Sequence, residues 1–172
     1  AARCSDYTAY MYLDDLMAYN RALGQRNSLL KYFAANGRFD ADQLAIYDEQ
    51  LIERGTLIFE KRQAFITQLE PILNKYYQAI SGGAEHISMR YESALHDKSL
   101  EMVLQENVAK DRLLQYTSHG IHRDDLVLTM LDYPLKKAGS QGQQKTFLIA
   151  LKLAQFDFLK QHSGFLPLLL LD

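Results

Sequence analysis

Gly139-Ser140-Gln141-Gly142-Gln143-Gln144-Lys145 opens a long helical pattern, and Leu168-Leu169-Leu170-Leu171-Asp172 follows it as an apolar strand that ends in an acid. Each half alone is ordinary. A Ser-x-Gly-Gln reads as an N-cap with a tight turn, and an apolar run ending in Asp reads as a buried strand. Together they carry more chemistry. A helix N-terminus has unpaired backbone N–H groups and a partial positive charge, so it suits phosphate. Gly142 allows close backbone approach, Ser140 offers a hydroxyl and Lys145 adds a cation. At the far end, an Asp leaving a buried strand can position Mg2+ through water.

Upstream of this pair, Leu126 to Leu131, the turn Asp132-Tyr133-Pro134 and Leu135-Lys136 predict a hairpin, followed by a helix from about Gln141 to His162. Thr146 to Leu151 is apolar nearly all round, which predicts a helix covered on more than one side. Ile87-Ser88-Met89-Arg90-Tyr91 alternates and predicts a short strand. Ser99 opens a helix with Leu100, Val103, Leu104, Val108 and Leu114 roughly on one side.

The N-terminal half is helical throughout. Leu13, Leu16, Met17, Asn20, Leu23, Asn27 and Leu30 recur at spacings of three and four, and Asn36-Gly37 is a stop signal. Asp40 with Gln43 resembles a capping box. From there Leu44, Tyr47, Leu51, Ile58, Phe65, Leu69, Leu73, Tyr76 and Ile80 continue one stripe. The expected helix of about 40 residues is roughly 60 Å long. Pro71 should kink or restart it, and Ser81-Gly82-Gly83 ends it. The two helices are expected to pair as an antiparallel hairpin, with Tyr76 and Tyr77 anchoring it.

Composition sets the outer bounds. The chain has 172 residues, 19 Lys+Arg against 21 Asp+Glu, and is 48% hydrophobic. That is roughly one domain's worth of a globular chain, and its balance excludes a broad polybasic surface that would hold nucleic acid by charge alone. With a single cysteine, Cys4, there is no internal disulfide framework, so a reducing, cytoplasmic setting is expected. The longest apolar run, Leu166 to Leu171, is far short of the roughly 20 residues a membrane helix needs, so no membrane partner is expected. Because the first residue is Ala1 and a strand-like run stops at Asp172, a fragment of a longer protein is expected.

In their order, joined by one helix, the two opening segments resemble the signature motif and Walker B strand of ABC-type ATPases. With Gly120-Ile121-His122-Arg123-Asp124-Asp125-Leu126 upstream, the chain resembles the RecF family, bacterial recombinational repair ATPases related to SMC proteins. Members carry Gly-Pro-His-Arg-Asp-Asp-Leu, then Ser-Gln-Gly-Gln-Gln-Arg/Lys-Thr, then an apolar strand ending in two acids. Here Ile121 replaces the Pro, and the chain stops at the first acid. Tyr19-Asn20-Arg21-Ala22-Leu23, Gln25-Arg26-Asn27-Ser28-Leu29-Leu30-Lys31, Tyr47-Asp48-Glu49-Gln50-Leu51 and Tyr76-Tyr77 before Ser81-Gly82 extend the likeness over nearly the whole chain.

The resemblance implies an α+β fold, mainly α: a long antiparallel helical hairpin, the lid, joined to part of an ABC-type α/β ATPase lobe. Residues 1–115 would form the lid with a short strand near 87–91, and 116–172 the partial lobe. It implies a DNA-binding ATPase in DNA repair, replication and recombination and in the SOS response, forming a homodimer with ATP on gapped DNA or single-strand/double-strand junctions. RecO and RecR would be partners in loading RecA. Ser140, Gln141, Gly142, Gln143 and Lys145 would meet ATP held by the partner subunit, and Asp172 would position Mg2+ through water as the Walker B acid. None of the nine glycines begins a Gly-x4-Gly-Lys-Ser/Thr loop. The chain alone is therefore expected to be inactive and to bind no nucleotide tightly, the Walker A lobe lying before Ala1 and the catalytic carboxylate after Asp172.

A helical protein-interaction or DNA-binding module without a nucleotide role is the competing reading. Arg21, Arg26, Lys31, Arg38, Lys61, Arg62, Lys136 and Lys137 could contact DNA or simply solvate helix faces. His119, His122, Asp124 and Asp125 have metal-ligand chemistry, but one segment rarely encloses a metal.

Overall fold

The computed structural model describes residues 4–83, 85–131 and 133–163. Leu166 to Leu171 and Asp172, the expected Walker B strand and acid, lie outside them. The described chain is mostly helical with a small sheet, in the order α1 (Cys4–Asn36), α2 (Ala41–Ser81), β1 (Ile87–Glu92), α3 (Leu100–Leu114), β2 (Asp125–Met130), β3 (Tyr133–Pro134), α4 (Leu135–Ala138) and α5 (Gln141–Ser163). None of its helices is long and apolar enough to cross a membrane.

Local signals place the ends. Gly37 sits at φ +60°, the left-handed position that closes α1. Asp40 caps α2, its carboxylate accepting the Gln43 N–H at 3.2 Å. Ser99 does the same for α3 through the Met102 N–H. Pro71 lies inside α2, which continues past it without a restart. It is exposed, as is Thr67 one turn earlier, so water can satisfy the carbonyl that loses its helical partner.

The chain divides into two compact units. One gathers Thr8–Arg62 and Glu92–Asp125; the other gathers Gln63–Tyr91 and the described residues from Leu126 on, with the first turn of α1. The division falls inside α2.

In the first unit α1 and the first half of α2 run antiparallel. Tyr12 meets Arg62, Asp15 meets Lys61, Arg26 meets Asp48 and Leu30 packs near Leu44, so partners move down one helix as they move up the other. The core here is Tyr19, Ala22, Leu51, Ile58, Leu100, Val103, Leu104 and Ile121. The buried face of α1 differs from the expected stripe. Leu13 and Met17 are 51% and 55% exposed, while Asp15, Tyr19, Ala22, Arg26, Leu30 and Phe33 are buried. Two of those six are charged, and a stripe traced through apolar residues alone misses them.

In the second unit Leu69, Leu73 and Tyr77 of α2, Ile87 and Met89 of β1, Met130, Leu135, and Phe147, Ala150 and Ala154 of α5 form one core. The strands form one sheet in the order β1-β2-β3, with β2 and β3 antiparallel and Met130 opposite Tyr133. Leu135 and Lys136, expected to extend the hairpin, form the first turn of α4 instead. Asn74 of α2 takes the place of a strand neighbour for Ile87, accepting its N–H at 2.8 Å and donating to its carbonyl at 2.6 Å. Within this chain α5 is buried along Phe147, Ala150 and Ala154, while Leu148, Ile149 and Leu159 are exposed.

Candidate functional site

The start of α5 is built by a reciprocal cap. The Gln143 N–H donates to the Ser140 hydroxyl oxygen at 3.2 Å, and the Ser140 N–H donates to the Gln143 side-chain carbonyl at 2.7 Å. This is a Ser-x-x-Gln capping box. Gln144 N–H closes the first helical bond on the Ser140 carbonyl at 3.0 Å. A helix leaves its first N–H groups without intrahelical acceptors. Here the box satisfies those of Ser140 and Gln143 and includes neither that of Gln141 nor that of Gly142.

The two glycines of the segment have different reasons to be there. A Cβ on Gly139 would stand 2.6 Å from the Leu135 carbonyl oxygen, so the turn out of α4 itself demands glycine. A Cβ on Gly142 would meet nothing nearer than the Ser140 hydroxyl at 3.9 Å. Nothing inside the chain requires Gly142, and glycine is a poor helix former. Ser140, Gln141, Gly142 and Lys145 are all exposed. The Ser140 oxygen accepts in the cap, and its O–H remains able to donate outward.

Gln143 is the exception among the expected contacts. It is half-buried, and while its carbonyl serves Ser140 its amide N–H2 donates to Glu85 at 2.6 Å. Glu85 in turn accepts the Tyr77 hydroxyl at 2.7 Å. Burial, and then the bond to Glu85, push the Tyr77 phenol up to about 12, so it stays a donor. Nothing in the sequence points to Glu85, and Tyr77 reads there only as an anchor. No local pattern links a glutamate to a glutamine 58 positions later.

The Gly120-to-Asp124 segment has a structural explanation within the first unit. Gly120 stands at φ +140°, and a Cβ there would lie 2.8 Å from the Tyr19 hydroxyl. Arg62 donates to the Ile121 carbonyl at 2.9 Å and to the Tyr12 hydroxyl at 3.1 Å. His122 lies with Nε2 3.1 Å from the Thr117 carbonyl and Nδ1 3.0 Å from the Tyr19 hydroxyl. A carbonyl only accepts, so Nε2 carries the proton and Nδ1 accepts from Tyr19. Burial holds the ring below its ordinary value, in the neutral form this arrangement needs. The Arg123 guanidinium lies over the Tyr116 ring. Both His122 nitrogens are thus engaged, and among the described residues no group of three or more His, Cys, Asp or Glu side chains could hold a metal ion.

Of the basic candidates, Arg26 is fully buried. It donates to Asp48 at 2.5 Å, to Asp111 at 2.7 Å and to Thr117 at 2.9 Å. Lys61 pairs with Asp15 at 2.8 Å, and Arg62 is held as above. Arg21, Lys31, Arg38, Lys136 and Lys137 are exposed.

Comparison with known proteins supplies the context for this geometry. No family model matches the chain. It is similar to the "DNA replication and repair protein RecF" of Flavobacterium johnsoniae, 56% identical over 161 residues, which is 94% of this chain and 45% of the relative. The same-named proteins of Bacteroides fragilis and Cytophaga hutchinsonii are 44% and 40% identical, with 43% of each relative covered. The chain therefore spans less than half the length of the curated relatives it matches. Among solved structures, "Structure of the recombination mediator protein RecF-ATP in RecFOR pathway" is 31% identical with a TM-score of 0.85, over 95% of this chain and 46% of that one. A second, described as RecF-ATPrS, gives 30% and 0.84.

Proposed function

We propose, on the premise that over the stretch it spans this chain belongs to the RecF family, that it forms the signature-bearing part of a DNA replication and repair ATPase. In this reading ATP joins two subunits on DNA. The Ser140 hydroxyl, the N–H groups of Gln141 and Gly142, and Lys145 meet the terminal phosphate of ATP held by the other subunit. Gln143 serves the site by holding Ser140. Bound ATP supplies the anionic group that joins the two surfaces. Asp172, at the end of the apolar run, would hold Mg2+ through water.

The observation that carries the reading is the helix start itself. Two N–H groups are left by the capping box beside a glycine whose Cβ position is open. Phosphate fits such a group of donors, because both the free N–H groups and the helix dipole favour an anion. The family likeness supports the rest: dimerisation on gapped DNA or at single-strand/double-strand junctions, cooperation with RecO and RecR, and loading of RecA, in a cytoplasmic setting.

A composite site makes the chain a half-site. Titrating ATP into the 172-residue chain in a calorimeter should give no micromolar binding, since no residue series in it forms a Gly-x4-Gly-Lys-Ser/Thr loop. Micromolar binding would contradict the assignment of its helix start to a partner's nucleotide.

A further inference from the structure

We propose that Glu85 is a positioning residue for the signature segment, setting the orientation of the Gln143 amide and through it the backbone at Ser140. This rests on the function proposed above. A carboxylate has acceptors only, so Glu85 selects the N–H2 side of Gln143, which it holds at 2.6 Å. A planar amide whose N–H2 is held must turn its carbonyl away. That carbonyl is what accepts the Ser140 N–H at 2.7 Å. Glu85 therefore decides which end of Gln143 faces Ser140. With the amide reversed, N–H2 would oppose N–H, and half of the capping box would be lost.

Glu85 is itself held. Its other oxygen accepts the Tyr77 hydroxyl at 2.7 Å, and Tyr77 is fully buried in the core that also contains Phe147 of α5. A buried ring of α2, a carboxylate before β1 and an amide on α5 thus form one chain of bonds. It ends on the residue that offers its hydroxyl to phosphate. Bonds to a charged acceptor are the stronger kind, which suits a brace.

The intact protein tests this with Glu85→Ala, Glu85→Gln and Tyr77→Phe, each read by amide hydrogen exchange at residues 140–143 without nucleotide and by sedimentation with ATP. Glu85→Ala should speed exchange there and weaken ATP-dependent dimerisation by about tenfold, the effect expected of one lost charge-assisted bond. Glu85→Gln keeps an acceptor for the Gln143 amide and should recover most of both. Tyr77→Phe keeps the buried ring and should fall between them. Wild-type exchange and dimerisation in Glu85→Ala, or an equal loss in Glu85→Gln, would overturn the proposal. Ser140→Arg, run in parallel, separates the two readings. If it still dimerises with ATP while Glu85→Ala speeds exchange, the brace stands and the nucleotide role fails. If it does not dimerise while Glu85→Ala behaves as wild type, the brace alone fails.

Discussion

The hydroxyl of Tyr19 donates to Nδ1 of His122 at 3.0 Å, across 103 positions of sequence. With Nε2 committed to the Thr117 carbonyl, the ring can accept that bond only while neutral. Protonation at Nδ1 would end that bond, and the Tyr19 hydroxyl could keep the contact only by turning its O–H away and accepting, beneath Gly120, whose Cβ position is already closed by the same hydroxyl.

A pH dependence follows. Burial holds the folded-state value of His122 below 6.5, so as pH falls the unfolded chain takes up a proton first. The stability contributed by the neutral ring is fully present above about pH 6.5 and drains away as pH falls from there toward the folded value. Urea unfolding from pH 8 to pH 5 should show a steeper loss for the wild type than for His122→Asn. Parallel curves would refute it.

Arg26 is fully buried with Asp111, which is also fully buried, and with Asp48. Removing one member of such a group leaves charge buried without its partner. Arg26→Ala should cost about 3–5 kcal/mol. Arg26→Lys should rescue little, since one ammonium cannot reproduce a fork that reaches Asp48, Asp111 and Thr117. Denaturant midpoints of the two variants check this.

Two glycines inside helices should respond in opposite directions to alanine. A Cβ on Gly24 meets nothing within 4 Å, so Gly24→Ala should stabilise by about 0.4–1 kcal/mol. A Cβ on Gly55 would stand 2.4 Å from Leu100 and 3.1 Å from Tyr19, both buried. Overpacking of about 1–3 kcal/mol outweighs the helix gain of about 1 kcal/mol, so Gly55→Ala should destabilise. Thermal melts of the pair decide it.

Gly142→Ala isolates access from folding. Its Cβ has room within the chain, so the melting temperature should hold or rise slightly. In the intact protein the added methyl would occupy the approach to the backbone, and ATP-dependent dimerisation should fall by about tenfold, or about 1.4 kcal/mol. Unchanged sedimentation with ATP would argue against a phosphate at this helix start.

Much of this architecture was legible because its signals are local. Asp40, Ser99 and Ser140 announce helix starts through side-chain acceptors, Gly37 announces an end, and alternation at Ile87 to Tyr91 marks β1. The face of α1 was not legible, because Asp15 and Arg26 are buried by pairing with residues far away in sequence, which periodicity cannot register. His122 and Arg62 likewise acquire roles only once Tyr19, Thr117 and Ile121 are brought beside them. At the site, the type and spacing of Ser140, Gly142 and Gln143 could be read directly. The brace from Tyr77 through Glu85 could not, since it exists only where α2, the connection to β1 and α5 converge.

In the proposed function Ser140 meets a partner's phosphate as well as capping α5. Sedimentation of the intact Ser140→Arg protein with ATP, alongside its thermal melt, tests it most directly. Loss of the cap alone costs about 0.5–2 kcal/mol of stability. A bulky cation at the joint should in addition lower ATP-driven dimerisation by about tenfold or more, with ATP binding to each subunit retained. A protein that melts lower yet dimerises normally with ATP would leave Ser140 a helix cap and contradict the account.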